Sequence, residues 1–258
     1  MTNIDKHPAG NFSWVELATS DQKAAKNFYT ELFGWSANEF PMGPDDFYTI
    51  FRLQERDAAA GYTIRKEEKA MGIPPHWNLY ITVDNADQAA SKAAELGGKV
   101  LQPAFDVMDA GRMAVVQDPT GATFMVWQAN KSNGIGIKNV DGTLCWADLA
   151  TSDPERAASF YSGLFGWQTM KGDNDYLHIK NGEDFIGGIP PAKYRNPNVP
   201  PHWMIYFYVS DVEGVAAKAK QLGATLHMPP NKIENVGTMS IIGDPQGAVF
   251  AIFKSART

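Results

Sequence analysis

Two acids recur at matched places in this chain, each two residues after a tryptophan. They are Glu16 in Trp14-Val15-Glu16 and Asp148 in Trp146-Ala147-Asp148. The residues alternate as in a strand, so Trp14, Glu16 and Ala18 share one face while Val15 and Leu17 share the other. If the apolar side packs on a helix, each acid points into whatever space lies opposite. A carboxyl in an apolar, aromatic-walled cavity has a raised pKa and can serve as a general base or anchor a cationic ligand. The competing role is a carboxylate hydrogen-bonded into the sheet.

Other residues could contribute to such a site. His76 and His202 precede Trp77 and Trp203 in a repeated Pro-Pro-His-Trp motif. Each is a candidate metal ligand or a cap for the backbone of a prolyl turn. Tyr80, Trp127, Tyr206 and Phe253 fall in strand-like runs, where they would join Trp14 and Trp146 in binding a planar or apolar ligand or would fill the core. Arg112, at the end of the 105–112 loop, is either an anion grip or a surface ion-pair residue. Cys145 is the sole cysteine and lies beside Trp146 in an apolar run, which fits a buried thiol better than a nucleophile. A sole cysteine also excludes an intrachain disulfide and points to a reducing, cytoplasmic setting. The chain carries no Gly-rich phosphate loop and no nucleophile elbow.

The elements that position these residues occur twice. The 14–35 run WVELATSDQKAAKNFYTELFGW matches WADLATSDPERAASFYSGLFGW at 146–167. PPHWNLYITV (74–83) matches PPHWMIYFYV (200–209), LGGKVLQP matches LGATLHMP, and DPTGATF matches DPQGAVF, in the same order. Each half reads as strand, then a helix capped by Asp21 or Asp153 and stopped by Gly34 or Gly166. A second strand and helix follow, the latter stopped by Gly97 or Gly223, and then short strands at 100–103, 113–117 and 123–128 or at 225–228, 239–242 and 249–253. The polar, Gly-rich 130–142 segment reads as a linker, and 65–69 as a solvated turn. The expected domains are 1–130 and 140–258. The formal net charge of −6 with no Lys/Arg cluster argues against nucleic-acid binding. No stretch approaches the roughly 20 apolar residues of a membrane span.

Paired βαβββ units with FYTELFGW, FYSGLFGW, DPTGATF and DPQGAVF make the chain resemble the vicinal oxygen chelate superfamily, which holds glyoxalases, extradiol dioxygenases and bleomycin-resistance proteins. The tandem layout, with WVEL and PPHW, is similar to its two-domain hydroxylase-like group. The resemblance implies an α+β fold: four βαβββ units forming two cupped, mainly antiparallel sheets with outer helices. How the four units pair stays open. It also implies, for the metal enzymes of the superfamily, three ligands on three strands facing each cup. The corresponding residues here are Trp14, Asn78 and Met125 in the first half and Trp146, Met204 and Ala251 in the second, none of them His, Asp or Glu.

The expectation is a protein that holds a small aromatic or apolar molecule in a cupped-sheet cavity, with no metal triad and no cofactor. Glu16 and Asp148 are the catalytic candidates. Trp14, Asn78, Tyr80, Met125, Trp127, Trp146, Met204 and Tyr206 are the candidate ligand contacts. The alternative is a glyoxalase-like lyase, an isomerase or a dioxygenase, using Glu16 or Asp148 as base or a displaced divalent metal site drawing on His76, or on His202 and His178. The first-half cavity, with Glu16, Asn78 and Arg112, is the more polar and the favoured one. The assembly is either a monomer with an internal pseudo-two-fold or a homodimer.

Overall fold

Strand alternation and helix caps in the sequence translate directly into elements. The computed structural model describes residues 2–44 and 46–256. A short strand β1 (Thr2–Asn3) precedes the first half. The first unit is β2 (Phe12–Thr19), α1 (Gln22–Phe33), β3 (Ser36–Gly43), β4 (Asp46–Leu53) and β5 (Arg56–Thr63). After a short α2 (Lys66–Ala70) comes the second unit: β6 (His76–Thr82), α3 (Ala86–Glu95), β7 (Lys99–Val107), β8 (Gly111–Gln117) and β9 (Thr123–Ala129). The connecting strand β10 (Ile137–Lys138) pairs with β1. The second half repeats the plan with β11 (Thr143–Ala150), α4 (Pro154–Phe165), β12 (Gln168–Lys171), β13 (Leu177–Asn181) and β14 (Asp184–Ile189). It closes with β15 (His202–Tyr208), α5 (Val212–Gln221), β16 (Thr225–Ile233), β17 (Gly237–Gly243) and β18 (Val249–Ser255).

The units of one half pair with each other. The first sheet runs β3-β4-β5-β2-β6-β9-β8-β7 and the second β12-β13-β14-β11-β15-β18-β17-β16. Within a unit the first strand is parallel to the last, and the two units meet through an antiparallel pair, β2 with β6 or β11 with β15. The fold is thus α+β with two eight-stranded mixed sheets. Asp21 and Asp153 cap α1 and α4 by accepting from Ala24 and Arg156 backbone N–H groups, and Gly34 and Gly166 end them in the left-handed conformation.

The helices cover the outer faces, and the two halves pack back to back through them. Val15, Leu17, Leu79 and Phe124 are fully buried on this side. Two reciprocal hydrogen bonds cross the junction. Tyr29 of α1 donates to Asp244 at 2.9 Å, and Tyr161 of α4 donates to Asp118 at 3.0 Å. Those two acids are the first residues of the repeated DPxG turns, and their other oxygens accept from the turn's own N–H groups. Trp77 and Trp203 donate to the same tyrosines at 3.1 and 3.0 Å. Phe33 packs at a tilt against Phe207 and Phe124 against Tyr161, so aromatic rings from both halves make one core.

Three segments depart from the sequence expectation. The 130–142 linker is tied down: Ile135 and Ile137 are buried, and Ile135 N–H donates to Ser13 at 2.7 Å. Gly134, at φ +101°, lies so close to the Ser13 carbonyl that any Cβ would overlap it. Residues 66–70 form a solvated helical turn, because Glu68 reaches back to accept from Arg65 N–H at 2.9 Å. Strands β7 and β16 run past Pro103 and Pro229. Both are edge strands with register shifts at the prolines, so the missing N–H costs no ladder bond. No helix among the described residues is long and apolar enough to cross a membrane.

Candidate functional site

The acids lie on the concave faces, opposite Val15 and Leu17 or Ala147 and Leu149. In the first cup Glu16 pairs in register with Asn78 and with Ala60, and Tyr80 donates to its Oε2 at 2.7 Å. Tyr48, from β4, is a second hydrogen-bonding hydroxyl on Glu16 and accepts from Trp14 Nε1 at 3.3 Å. Asn78 donates to Tyr62 at 3.3 Å, and its Oδ1 lies 3.2 Å from His76 Nε2.

The second cup repeats this arrangement. Asp148 pairs with Met204 and Gly188. Tyr206 donates to Oδ2 at 2.8 Å, Tyr176 donates to Oδ1 at 2.5 Å, and Trp146 Nε1 lies 3.0 Å from both Oδ1 and the Tyr176 hydroxyl. A carboxyl, an indole and two phenols therefore recur in both halves. The tryptophans, the acids, Tyr80 and Tyr206 were legible in the matched blocks. Tyr48 and Tyr176 were not, because they come from the middle of each half, where length and sequence diverge.

Burial pushes the Glu16 and Asp148 carboxyls above the usual carboxylate range, and the tyrosine hydrogen bonds oppose part of that rise. The tyrosine hydroxyls are pushed up by burial and then by the neighbouring carboxylate. The phenols thus stay protonated donors to the acids. Burial also pushes the Cys145 thiol up to about 12, which removes it as a nucleophile at neutral pH.

The two cups differ in openness. In the first, Trp14, Asn78, Met113, Met125 and Trp127 are all buried. In the second, the register equivalents Trp146, Met204, Met239 and Phe253 are half-buried, although Asp148 and Tyr206 remain covered and Ala251 is fully buried. Trp127, whose indole N–H donates to the Ser132 carbonyl at 3.0 Å, stands where the second half has the smaller Phe253 ring. Arg112 lies on the outer face, held by Asp87 at 2.7 Å and Asp106 at 2.9 Å, and so does not reach the first cup. The first-half preference drawn from polarity loses that support.

The metal question turns on the donor set. The three strand positions facing each cup hold indole, amide, thioether and methyl groups, and among the described residues no three His, Cys, Asp or Glu side chains come together to hold an ion. His76 Nδ1 lies 2.8 Å from the Pro74 carbonyl, and His202 Nδ1 lies at the same distance from that of Pro200, the contacts of a turn cap. His178 packs edge-on against Tyr176 and Phe185. These residues do not fit a three-ligand divalent centre in either cup. Two open grooves, of about 420 and 370 Å³, lie outside the cups beside Arg56 and beside Arg112.

The family model described as the Glyoxalase/Bleomycin resistance protein/Dioxygenase superfamily matches residues 11–126 and again 143–252. The chain belongs to this superfamily. Among its relatives, the putative glyoxylase CFP32 of Mycobacterium bovis is 39% identical over 99% of both chains. The anthracycline biosynthesis protein DnrV of Streptomyces peucetius is 29% identical, over 93% of this chain and 91% of that one. The Mn(II)-bound glyoxalase of Novosphingobium aromaticivorans superposes with a TM-score of 0.66 at 15% identity, covering 95% of this chain and 82% of its own. That likeness carries the fold.

Proposed function

We propose that this member of the superfamily holds a small aromatic or apolar molecule in its second cup, without the usual metal triad. The observation that carries the reading is the half-buried wall of Trp146, Met204, Met239 and Phe253 around a covered polar floor at Asp148. Aromatic rings and thioethers bind planar ligands by stacking and area burial, and a few fixed polar groups set orientation. Kinship with a protein of anthracycline biosynthesis supports a planar aromatic occupant. Titration calorimetry with a panel of aromatic compounds, with metal analysis of untagged protein, tests it. A stoichiometric transition metal bound by cup residues would sink the metal-free part, and a panel without binders would sink the rest.

A second reading has one specific support, the burial that raises the Glu16 and Asp148 carboxyls above their ordinary values, the direction that makes a carboxylate a stronger base. Kinship with a putative glyoxylase agrees with it. The carboxylate would take a proton from the hydroxyl-bearing carbon of a 2-oxoaldehyde–thiol adduct and return it to the adjacent carbonyl carbon, while the hydroxyl proton passes to the former carbonyl oxygen, giving a 2-hydroxy thioester in a net isomerisation. Turnover of such an adduct, lost in Glu16→Gln or Asp148→Asn, would support this reading. Full activity in both variants would remove it.

A further inference from the structure

We infer that the first cup carries a proton-driven polarity switch: a proton gained or lost at His76 turns the Asn78 amide, and the amide decides whether Tyr62 offers the cup a hydrogen or only lone pairs. This goes beyond the ligand reading above, because it concerns the other cup and assumes no occupant. The switch is built on a row of residues across the concave face. Tyr48, Tyr62, Ala18 and His76 lie in register on β4, β5, β2 and β6. Asn78, two residues on from His76, spans the row and touches both His76 and Tyr62.

The hydrogens distinguish two states. The Pro74 carbonyl, 2.8 Å from His76 Nδ1, can only accept, so Nδ1 carries a hydrogen. Nε2 lies 3.2 Å from Asn78 Oδ1, a second acceptor, while Asn78 Nδ2 donates to the Tyr62 hydroxyl at 3.3 Å. Both imidazole nitrogens must donate in this arrangement, which makes it the imidazolium state. The hydrogen of Tyr62 itself meets no acceptor among the described residues, and the half-buried ring presents it to the cup.

Loss of the Nε2 hydrogen would leave two lone pairs facing each other across that 3.2 Å contact. A half-turn of the amide relieves them. Nδ2 then donates to Nε2, Oδ1 faces Tyr62, and Tyr62 donates to it. The number of hydrogen bonds is unchanged, so the turn costs little; what changes is Tyr62, from a free donor to a committed one with lone pairs to spare. Histidine is the side chain whose charge changes between about pH 5 and 8, and half-buried His76 can exchange protons with solvent.

The ionisable groups around the row are Glu16 on β2, Tyr80 on β6, Tyr48 on β4, and Arg65 and Glu68 at α2, whose charges act on Glu16 in opposite senses. Strand β9 brings none. Burial and then Glu16 push the Tyr62 hydroxyl above its ordinary range, so it stays a hydroxyl in both states. The second half keeps only the cap. His202 Nδ1 lies 2.8 Å from the Pro200 carbonyl, but Met204 replaces the amide, and Pro190 stands two residues after Gly188 where Tyr62 stands two after Ala60.

Solution NMR on the isotope-labelled full chain, titrated from about pH 5 to 9, tests the switch. Imidazole nitrogen shifts read the charge and tautomer of His76. Neutral His76 is expected to carry its hydrogen on Nδ1. The Asn78 side-chain amide signals and the Tyr62 Cζ signal should move with the His76 midpoint, and both should stay flat in His76→Gln. Tyr62→Phe should keep the His76–Asn78 coupling, and His202 should titrate with no amide following it. Neutral His76 with its hydrogen on Nε2, Asn78 signals flat through the His76 titration, or a His76 that holds its proton throughout overturns the switch. Asn78 signals that still titrate in His76→Gln would trace to Glu16 and overturn it too. If the glutamine variant unfolds, the tautomer and the shared midpoint in the parent chain decide the matter.

Discussion

The clearest physical difference between the cups is one methylene, and it yields a quantitative prediction. In the first half Glu16 lies in register beside Ala60, and in the second Asp148 lies beside Gly188. The shorter aspartate brings Tyr176 down onto the strand to reach it, and a Cβ on Gly188 would overlap the Tyr176 ring and hydroxyl. Gly188→Ala must push Tyr176 away. That costs about 1–3 kcal/mol of overpacking and about 1.5–3 kcal/mol for a hydrogen bond to a charged group, offset by under about 1 kcal/mol from the better strand residue. The expected net loss is about 1.5–6 kcal/mol, or roughly 3–24 °C in Tm for a chain of this size. Asp148→Glu alone inserts a methylene under Tyr176 and should cost about 1–3 kcal/mol. The double variant recreates the first-half pair, so the two losses should not add, and a coupling of at least about 1.5 kcal/mol is expected. Equilibrium urea unfolding followed by tryptophan fluorescence reads all four proteins. A double variant whose loss equals the sum of the single losses would refute the claim that Glu–Ala and Asp–Gly are compensating pairs.

Tyr161→Phe strips the donor from buried Asp118 and the acceptor from Trp203, and should cost about 3–5 kcal/mol in chemical unfolding; a loss under about 1 kcal/mol would mean the junction bond is incidental. For Glu16, Asp148 and Asp244, burial raises the folded pKa above the unfolded one, so the folded state holds more protons across that window. Stability should therefore fall as pH rises from about 4 through the raised values and then level off, and Asp148→Asn should flatten the slope, which unfolding at several pH values will read. Arg112→Ala, by contrast, removes exposed ion pairs and one hydrogen bond to the Ala104 carbonyl on the outer face, and should leave the urea midpoint close to that of the parent and calorimetric ligand binding unaltered.

Much of this was legible because the relevant signals are local. Strand parity placed Glu16 and Asp148 on the concave side, and caps and stop glycines delimited α1 and α4. The contacts that complete the sites are not local. Tyr48 reaches Glu16 from an edge hairpin, and Tyr176 reaches Asp148 from a segment whose counterpart has a different length. For Arg112 the sequence offered an anion grip or a surface ion-pair residue; the second holds, and its partners Asp87 and Asp106 could not be named beforehand because they sit on separate elements. The DPxG turns read as turns and are turns. That Asp118 and Asp244 also accept from a tyrosine of the other half depends on how the halves dock.

The docking explains where the duplication is strict and where it is loose. Each outer face is built from parts of both copies: Tyr29 needs Asp244 and Trp77, while Tyr161 needs Asp118 and Trp203. A change in either helix or either turn strands a buried polar group in the other half, at a cost of several kcal/mol set against a marginal total stability. Among the described residues the acid–tyrosine sets of the two concave faces share no such hydrogen bond, so a substitution there is expected to be felt within its own cup. Asn78 can face Met204, Trp127 can face Phe253, and Glu16 with Ala60 can stand against Asp148 with Gly188, without disturbing the junction. Two cups on one shared back can therefore differ in openness and polarity, one with its wall buried around Asn78 and one with its wall half-buried around Met204. The constraint that keeps the scaffold symmetric is the same one that leaves the ligand surfaces free to diverge.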